Sequence, residues 1–229
     1  MQITKSTWMA TIAGTAALTV LMTGRVEGGE PVSLAPARLE PVGVELEEVE
    51  YRGRAALRLT EKPGVAVEAD SLALIPGLVF GDGTIEIEVA GAPRADAFEG
   101  ARGFVGLAFR LHQDPSRYEC FYIRPKNGRA EDQLRRNHST QYVSHPEYPW
   151  HRLRKESPGL YESYVDLVPG EWTRLKIVVA GAEARLFVHD AEQPSLIVKD
   201  LKLGVSEGAV ALWIGAGTQG HFANLRVTP

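Results

Sequence analysis

Gly103-Phe104-Val105-Gly106-Leu107-Ala108-Phe109-Arg110, followed by Tyr118-Glu119-Cys120-Phe121-Tyr122-Ile123-Arg124, decides the fold class. In the first run Val105, Leu107 and Phe109 share one face, and Gly106, Ala108 and Arg110 share the other. In the second, Glu119, Phe121 and Ile123 oppose Tyr118, Cys120, Tyr122 and Arg124. A repeat of two is that of a strand with one buried face.

The same rhythm extends outward. Thr84 to Val89 sets Ile85, Ile87 and Val89 against Thr84, Glu86 and Glu88. Trp172 to Val179 and Ala184 to His189 form a pair joined at Gly181. Val210, Leu212 and Ile214 alternate with Ala211 and Trp213, and the chain closes on Phe222, Leu225 and Val227. Val44 to Tyr51 and Ala55 to Thr60 fit the same scheme. Asn127-Gly128 is a dipeptide that favours a tight hairpin turn. No long window has helical periodicity. Many strands with short polar turns predict an all-β, two-sheet antiparallel jelly-roll sandwich.

The N-terminus reads as a secretory leader. Lys5 precedes the uncharged apolar run Met9 to Met22, and small residues place cleavage near Gly28 or Gly29. Leu21-Met22-Thr23-Gly24 resembles the front of a lipobox, but Arg25 stands where the lipid-bearing Cys belongs. The expected organisation is a leader over 1–29 and one domain over 30–229, secreted or periplasmic. Loss of Lys5, Arg25 and Glu27 with the leader takes the net charge from −4 to −5. A mildly acidic domain exerts no general pull on nucleic acid, and no second apolar run is long enough for a membrane span. Cys120 is the only cysteine, so no intramolecular disulfide forms and stability rests on the core.

From about Pro125 to Tyr164 the alternation lapses and the composition shifts. Tyr118 to Tyr164 holds six of the seven tyrosines and Arg117 to Arg154 holds seven arginines, too aromatic a segment for disorder. It reads as an ordered excursion across one face or rim of the sandwich.

The strand runs quoted above resemble the central strands of concanavalin A-like lectin/glucanase domains. Gly170-Glu171-Trp172-Thr173-Arg174-Leu175-Lys176-Ile177 is similar to the W-x-x-L-x-I strand of laminin G-like modules. Gly208 to Ile214 is similar to their G-x-V-G-L strand, with Ala211 for the second Gly, and His221 to Val227 to their closing F-x-N-L-R strand. The resemblance spans Val44 to Val227 and is nearest to the bacterial 3-keto-disaccharide hydrolase-like domains. Retaining glucanases of this superfamily carry Glu-x-Asp-x-x-Glu, whose outer carboxylates stand ~5–5.5 Å apart. Aligned on Glu86, that motif has Glu88 at its centre and Gly91 where the second catalytic acid belongs. The resemblance therefore does not carry that mechanism here.

The face bearing Gly106 and Ala108 is a shallow floor flanked by Arg110, Tyr122 and Arg124, a set offering hydrogen-bond forks and an aromatic face to a sugar. The excursion adds Glu131, Asp132, Arg135, Arg136, His138, Gln141, His145, Tyr148, Trp150, Arg152 and Arg154. Arg forks suit carboxylates and sulfates, while Glu131, Asp132 and Glu156 offer an alternative use of the same arginines as internal bracing. The candidate ligand-binding set is Arg110, Tyr122, Arg124, Asp132, Arg135, His138, His145, Tyr148 and Trp150, with no assignable catalytic residue. The histidines lack metal-site spacing, so neither metal nor cofactor is expected. The expected partner is a saccharide or glycoconjugate, acidic sugars among the candidates. A 3-keto-glycoside hydrolase, using a His or carboxylate of the excursion, and a structural laminin G-like module are the alternatives.

Overall fold

A computed structural model describes residues 29–66, 71–112 and 115–229. The expected leader lies outside them except for Gly29. One sheet has eight strands: β1 (Glu30–Pro31), β3 (Val44–Tyr51), β4 (Arg54–Glu61), β6 (Gly83–Pro93), β11 (Thr173–Ala180), β12 (Glu183–Val188), β13 (Leu196–Val198) and β15 (Thr218–Thr228). The other has seven: β2 (Glu40–Val42), β5 (Leu72–Phe80), β7 (Val105–Leu111), β8 (Tyr118–Ile123), β9 (Thr140–His145), β10 (Glu162–Ser163) and β14 (Gly208–Ile214). The first runs β13-β12-β11-β6-β15-β4-β3, with β1 on β15, and the second runs β10-β9-β8-β7-β14-β5-β2. All strand pairs are antiparallel. Half of the described residues are strand and 9% helix, as the alternation requires.

The core lies between the sheets. Ile85, Ile87 and Val89 of β6 stand in register with Ile177, Leu175 and Thr173 of β11. Facing them, Phe109 packs on Phe121 with centroids 6.1 Å apart and meets Phe80 edge-on at 6.3 Å. From Ile85 to Val89 of β6 and along β11 the odd residues are buried and the even ones reach solvent, so that sheet has a wet outer face there.

The seven-stranded sheet differs. Strands β7 and β8 are buried on both faces, and β9 and β10 of the excursion continue the sheet beyond β8. The excursion is also more regular than its sequence suggests. It contains α1 (Gln133–Arg136), β9, α2 (Trp150–Glu156) and β10. Thr140-Gln141-Tyr142-Val143-Ser144 escaped detection because it is buried on both faces and therefore does not alternate.

Asn127-Gly128 does not form a hairpin turn. Pro125–Asn127 is a 3-10 turn, and β8 and β9 pair across the whole segment between them. Gly128 has an ordinary helical φ of −56°. Its lack of a side chain serves close approach, since a Cβ there would stand 2.3 Å from the Leu167 backbone nitrogen.

Candidate functional site

The outer face of the seven-stranded sheet is organised around a glycine. Gly106 pairs with Tyr122 of β8 on one side and Trp213 of β14 on the other. With no side chain between them, the two rings meet over Gly106 at 4.7 Å. Phe104 stands edge-on to Tyr122 at 6.2 Å. Trp213 Nε1 donates to Tyr118 Oη at 3.2 Å, and Tyr118 stacks on His145 at 5.0 Å. Tyr122 is buried beneath this cluster, and desolvation raises its phenol pKa.

Arg124 carries the face into the excursion. Its guanidinium lies over the Tyr122 ring at 5.0 Å and donates to Tyr122 Oη at 2.9 Å, Gln141 Oε1 at 3.0 Å and the His138 carbonyl at 3.1 Å. On its far side, at 6.0 Å, is Trp150, which is 45% exposed and also covers Arg154 at 4.7 Å.

One buried carboxylate, Glu162 of β10, serves three partners. Arg154 holds it with Nε to Oε1 at 2.9 Å and Nη2 to Oε2 at 2.7 Å. His138 Nδ1 lies 2.8 Å from Oε2, and Arg124 Nη1 lies 3.6 Å away. Burial holds the His138 pKa below its usual value. Glu162 opposes that shift, while Arg154 and Arg124 reinforce it. The imidazole is therefore neutral at pH 7.

The residues expected here divide accordingly. Tyr122, Arg124, His138 and Trp150 come together. His145 shares the face but sits on Tyr118. Tyr148 lies elsewhere, its ring against Arg152 at 4.3 Å and Lys202 at 5.3 Å. Asp132 caps α1, accepting from the Arg135 N–H at 2.7 Å. Arg135 is half-buried on α1 and its Nε has no hydrogen-bond partner among the described residues.

Arg110 does not flank the floor. Opposite Val210 the register between β7 and β14 shifts, and Arg110 takes a φ of +51°. The bulge breaks the alternation and turns the side chain away. It is fully buried and spends its donors on Gly81 O at 3.1 Å, Gly204 O at 2.6 Å, Gly181 O at 2.7 Å and Asp82 Oδ1 at 2.9 Å. It braces turns at one end of the sandwich.

Sequence reasoning also missed Glu162. Glu131, Asp132 and Glu156 were the expected bracing acids, and of these Glu156 does pair with Arg152. Nothing local marks Glu162, because its partners arrive from the end of β8, α2 and the loop before β9. Glu86 and Glu88 are spent on Arg174 and on Arg54 with Asn224. Among the described residues no group of three or more His, Cys, Asp or Glu could hold a metal.

No family model matches the chain, and no curated protein matches it. Solved structures do. The carbohydrate-binding module CBM66 from Bacillus subtilis superposes with a TM-score of 0.59 at 14% identity, over 84% of this chain and 96% of its own. The fold is the concanavalin A-like jelly roll. A Bacillus subtilis protein of unknown function with a galectin-like fold superposes with a TM-score of 0.53 at 14% identity, over 83% of this chain and 87% of its own. At such identity the concanavalin A-like architecture is shared while the site residues are this chain's own.

Proposed function

We propose that this chain is an exported saccharide-binding protein that seats its glycan on the outer face of the seven-stranded sheet. The observation that carries the reading is the row Trp150, Arg124, Tyr122, Trp213, in which rings and a guanidinium follow one another at 4.7–6.0 Å between α2 and β14. Trp150, Trp213 and Phe104 keep exposed area there. Such rings cover the apolar side of a pyranose, and neighbouring forks take its hydroxyls. Sharing the jelly-roll architecture with a carbohydrate-binding module supports the reading. Export follows from the leader-like sequence before Gly29.

The test is a glycan array on the purified protein, repeated with Trp150→Ala and Trp213→Ala. Binding that either change weakens about tenfold supports the site. Binding untouched by both places the ligand elsewhere.

A second reading, glycoside hydrolysis of the 3-keto-disaccharide kind, draws on one observation. His138 Nδ1 lies 2.8 Å from the Glu162 carboxylate, and burial holds the imidazole pKa low, as a general base requires. A product assay on each array hit, with wild type and His138→Gln, separates binder from hydrolase.

A further inference from the structure

The eight-stranded sheet forks beside β15. Along one side β15 pairs β6 at both of its ends, with a register shift between Ala223 and Arg226 where Asn224 takes a φ of +55°. Along the other side its partner changes. Gln219 to Phe222 pair β4, ending at Phe222 opposite Leu57, whereas Arg226 and Val227 pair Pro31 and Glu30 of β1. Arg54, Ala55 and Ala56 of β4 keep β3 as a neighbour but have no strand on the β15 side. The bulge is the cause, because it bends the end of β15 away from β4.

A cleft of about 680 Å³ lies in the fork. Buried Leu57, Phe222 and Leu225 form its apolar floor, and half-buried Val32 and Leu34 line its wall. Glu48 and Glu50 stand at its rim. They pair across β3 and β4 with Leu57 and Ala55, so they share the face that looks into the cleft. Both are exposed, and neither has an ion-pair or hydrogen-bond partner among the described residues. Neighbouring Glu47 and Glu88 differ, since Arg58 and Arg54 neutralise them. Arg226 also lines the cleft, with Nη1 donating to the Gly29 carbonyl at 3.1 Å. The lining thus carries two carboxylates to one guanidinium.

An open strand edge, apolar depth and surplus negative charge coincide here. An extended peptide answers all three. Its main chain adds to the edge, alternate side chains enter the apolar space, and a Lys or Arg meets the carboxylates. We propose that this fork is a docking site for a short extended peptide segment carrying apolar side chains and a basic residue. The site is independent of the saccharide-binding reading, which concerns the other sheet.

The experiment is a chemical-shift titration of the isotope-labelled full chain with three probes. These are acetyl-Leu-Lys-Leu-amide, acetyl-Leu-Glu-Leu-amide, and the lysine probe with its central amide N-methylated. The lysine probe shifts the amides of Ala55, Ala56 and Asn224 and binds at least about tenfold tighter than either of the others. Changing Glu48→Gln and Glu50→Gln together removes its advantage over the glutamate probe. Glu45→Gln, on the same strand but outside the cleft, keeps that advantage. These carboxylates are exposed, so the variants keep the core, and thermal melts establish that they are folded. Equal binding of the lysine and glutamate probes, shifts confined to other strands, or an equal loss in Glu45→Gln overturns the site. Hexylamine binding in the cleft while N-methylation costs the peptide nothing would show a pocket for small cations, and overturns it too. Trp150→Ala leaves the peptide titration unchanged, so failure here does not touch the saccharide reading.

Discussion

Arg154 grips Glu162 with two parallel hydrogen bonds, and the same carboxylate lies 2.8 Å from His138 Nδ1. Glu162 is thus the knot that ties α2 and the segment before β9 to the sheet. Glu162→Gln removes the charge but keeps the shape. Arg124, nearly buried, then loses its carboxylate, whereas Arg154 still reaches water. The expected cost is about 2–3 kcal/mol, below that of a fully buried pair. Urea unfolding measures it, and a change under 1 kcal/mol would show that the knot is incidental.

Arg110 gives the opposite test. It is buried, and among the described residues its side chain bonds turns and Asp82, so it should matter to stability and not to any ligand. Arg110→Lys keeps the charge and loses the fork. The expected loss is about 2 kcal/mol, or roughly 4–8 °C in Tm for a chain of this size. Glycan affinity should be unchanged. Weakened binding with unchanged Tm would restore Arg110 to the site.

Gly106 lets Tyr122 and Trp213 meet. A Cβ there would stand 2.1 Å from the Phe121 carbonyl oxygen and 2.6 Å from Tyr122 Cα. Gly106→Ala must push β8 and the rings apart, at about 1–3 kcal/mol for overpacking. Near-ultraviolet circular dichroism should lose aromatic signal in step. An unchanged spectrum and melting point would mean that the glycine is not what brings the rings together.

His221 governs part of the acid limb of stability. Its ring lies stacked under Tyr51 at 3.6 Å, and burial pulls its pKa from 6.5 to about 4 despite a hydrogen bond to Ala90. The folded pKa lies below the unfolded one. Its contribution is therefore complete above pH 6.5 and is lost as pH falls through 6.5 towards about 4. Asp166, held low by its Arg129 partner, and Asp200, held low by Lys202 and Tyr161, titrate below the usual carboxylate range and so under that window. Denaturation at pH 7 and pH 4.5 should differ by on the order of 2 kcal/mol, and His221→Phe should remove most of the difference, leaving the smaller share of His138, also held low by burial, and the opposing share of Glu119, which burial raises. A pH response undiminished in His221→Phe assigns the acid limb to other groups.

Glu88 should prove dispensable for any glycan turnover. It bonds Arg54 at 2.6 Å and Asn224, and Gly91 occupies the place of a second acid. If Glu88→Gln abolished hydrolysis of a β-glucan while the fold held, the assignment of Glu88 to a salt-bridged strand face would fail.

The sequence by itself determined the sandwich. Ile85, Ile87 and Val89 against Glu86 and Glu88 could be read directly, since a strand with one wet face writes its burial into alternate residues. It also determined that Tyr122, Arg124, His138 and Trp150 belong to a chemically dense region. Only the tertiary structure decided which of these meet. A bulge, invisible in the alternation of Phe104 to Arg110, turned Arg110 from the face to the end turns. Strand β9 left no alternation, because burial on both sides removes the polar half of the pattern. Glu162 became the centre of the site because three partners converge on it from separate elements, and such long-range convergence leaves no trace at fixed spacing along the chain.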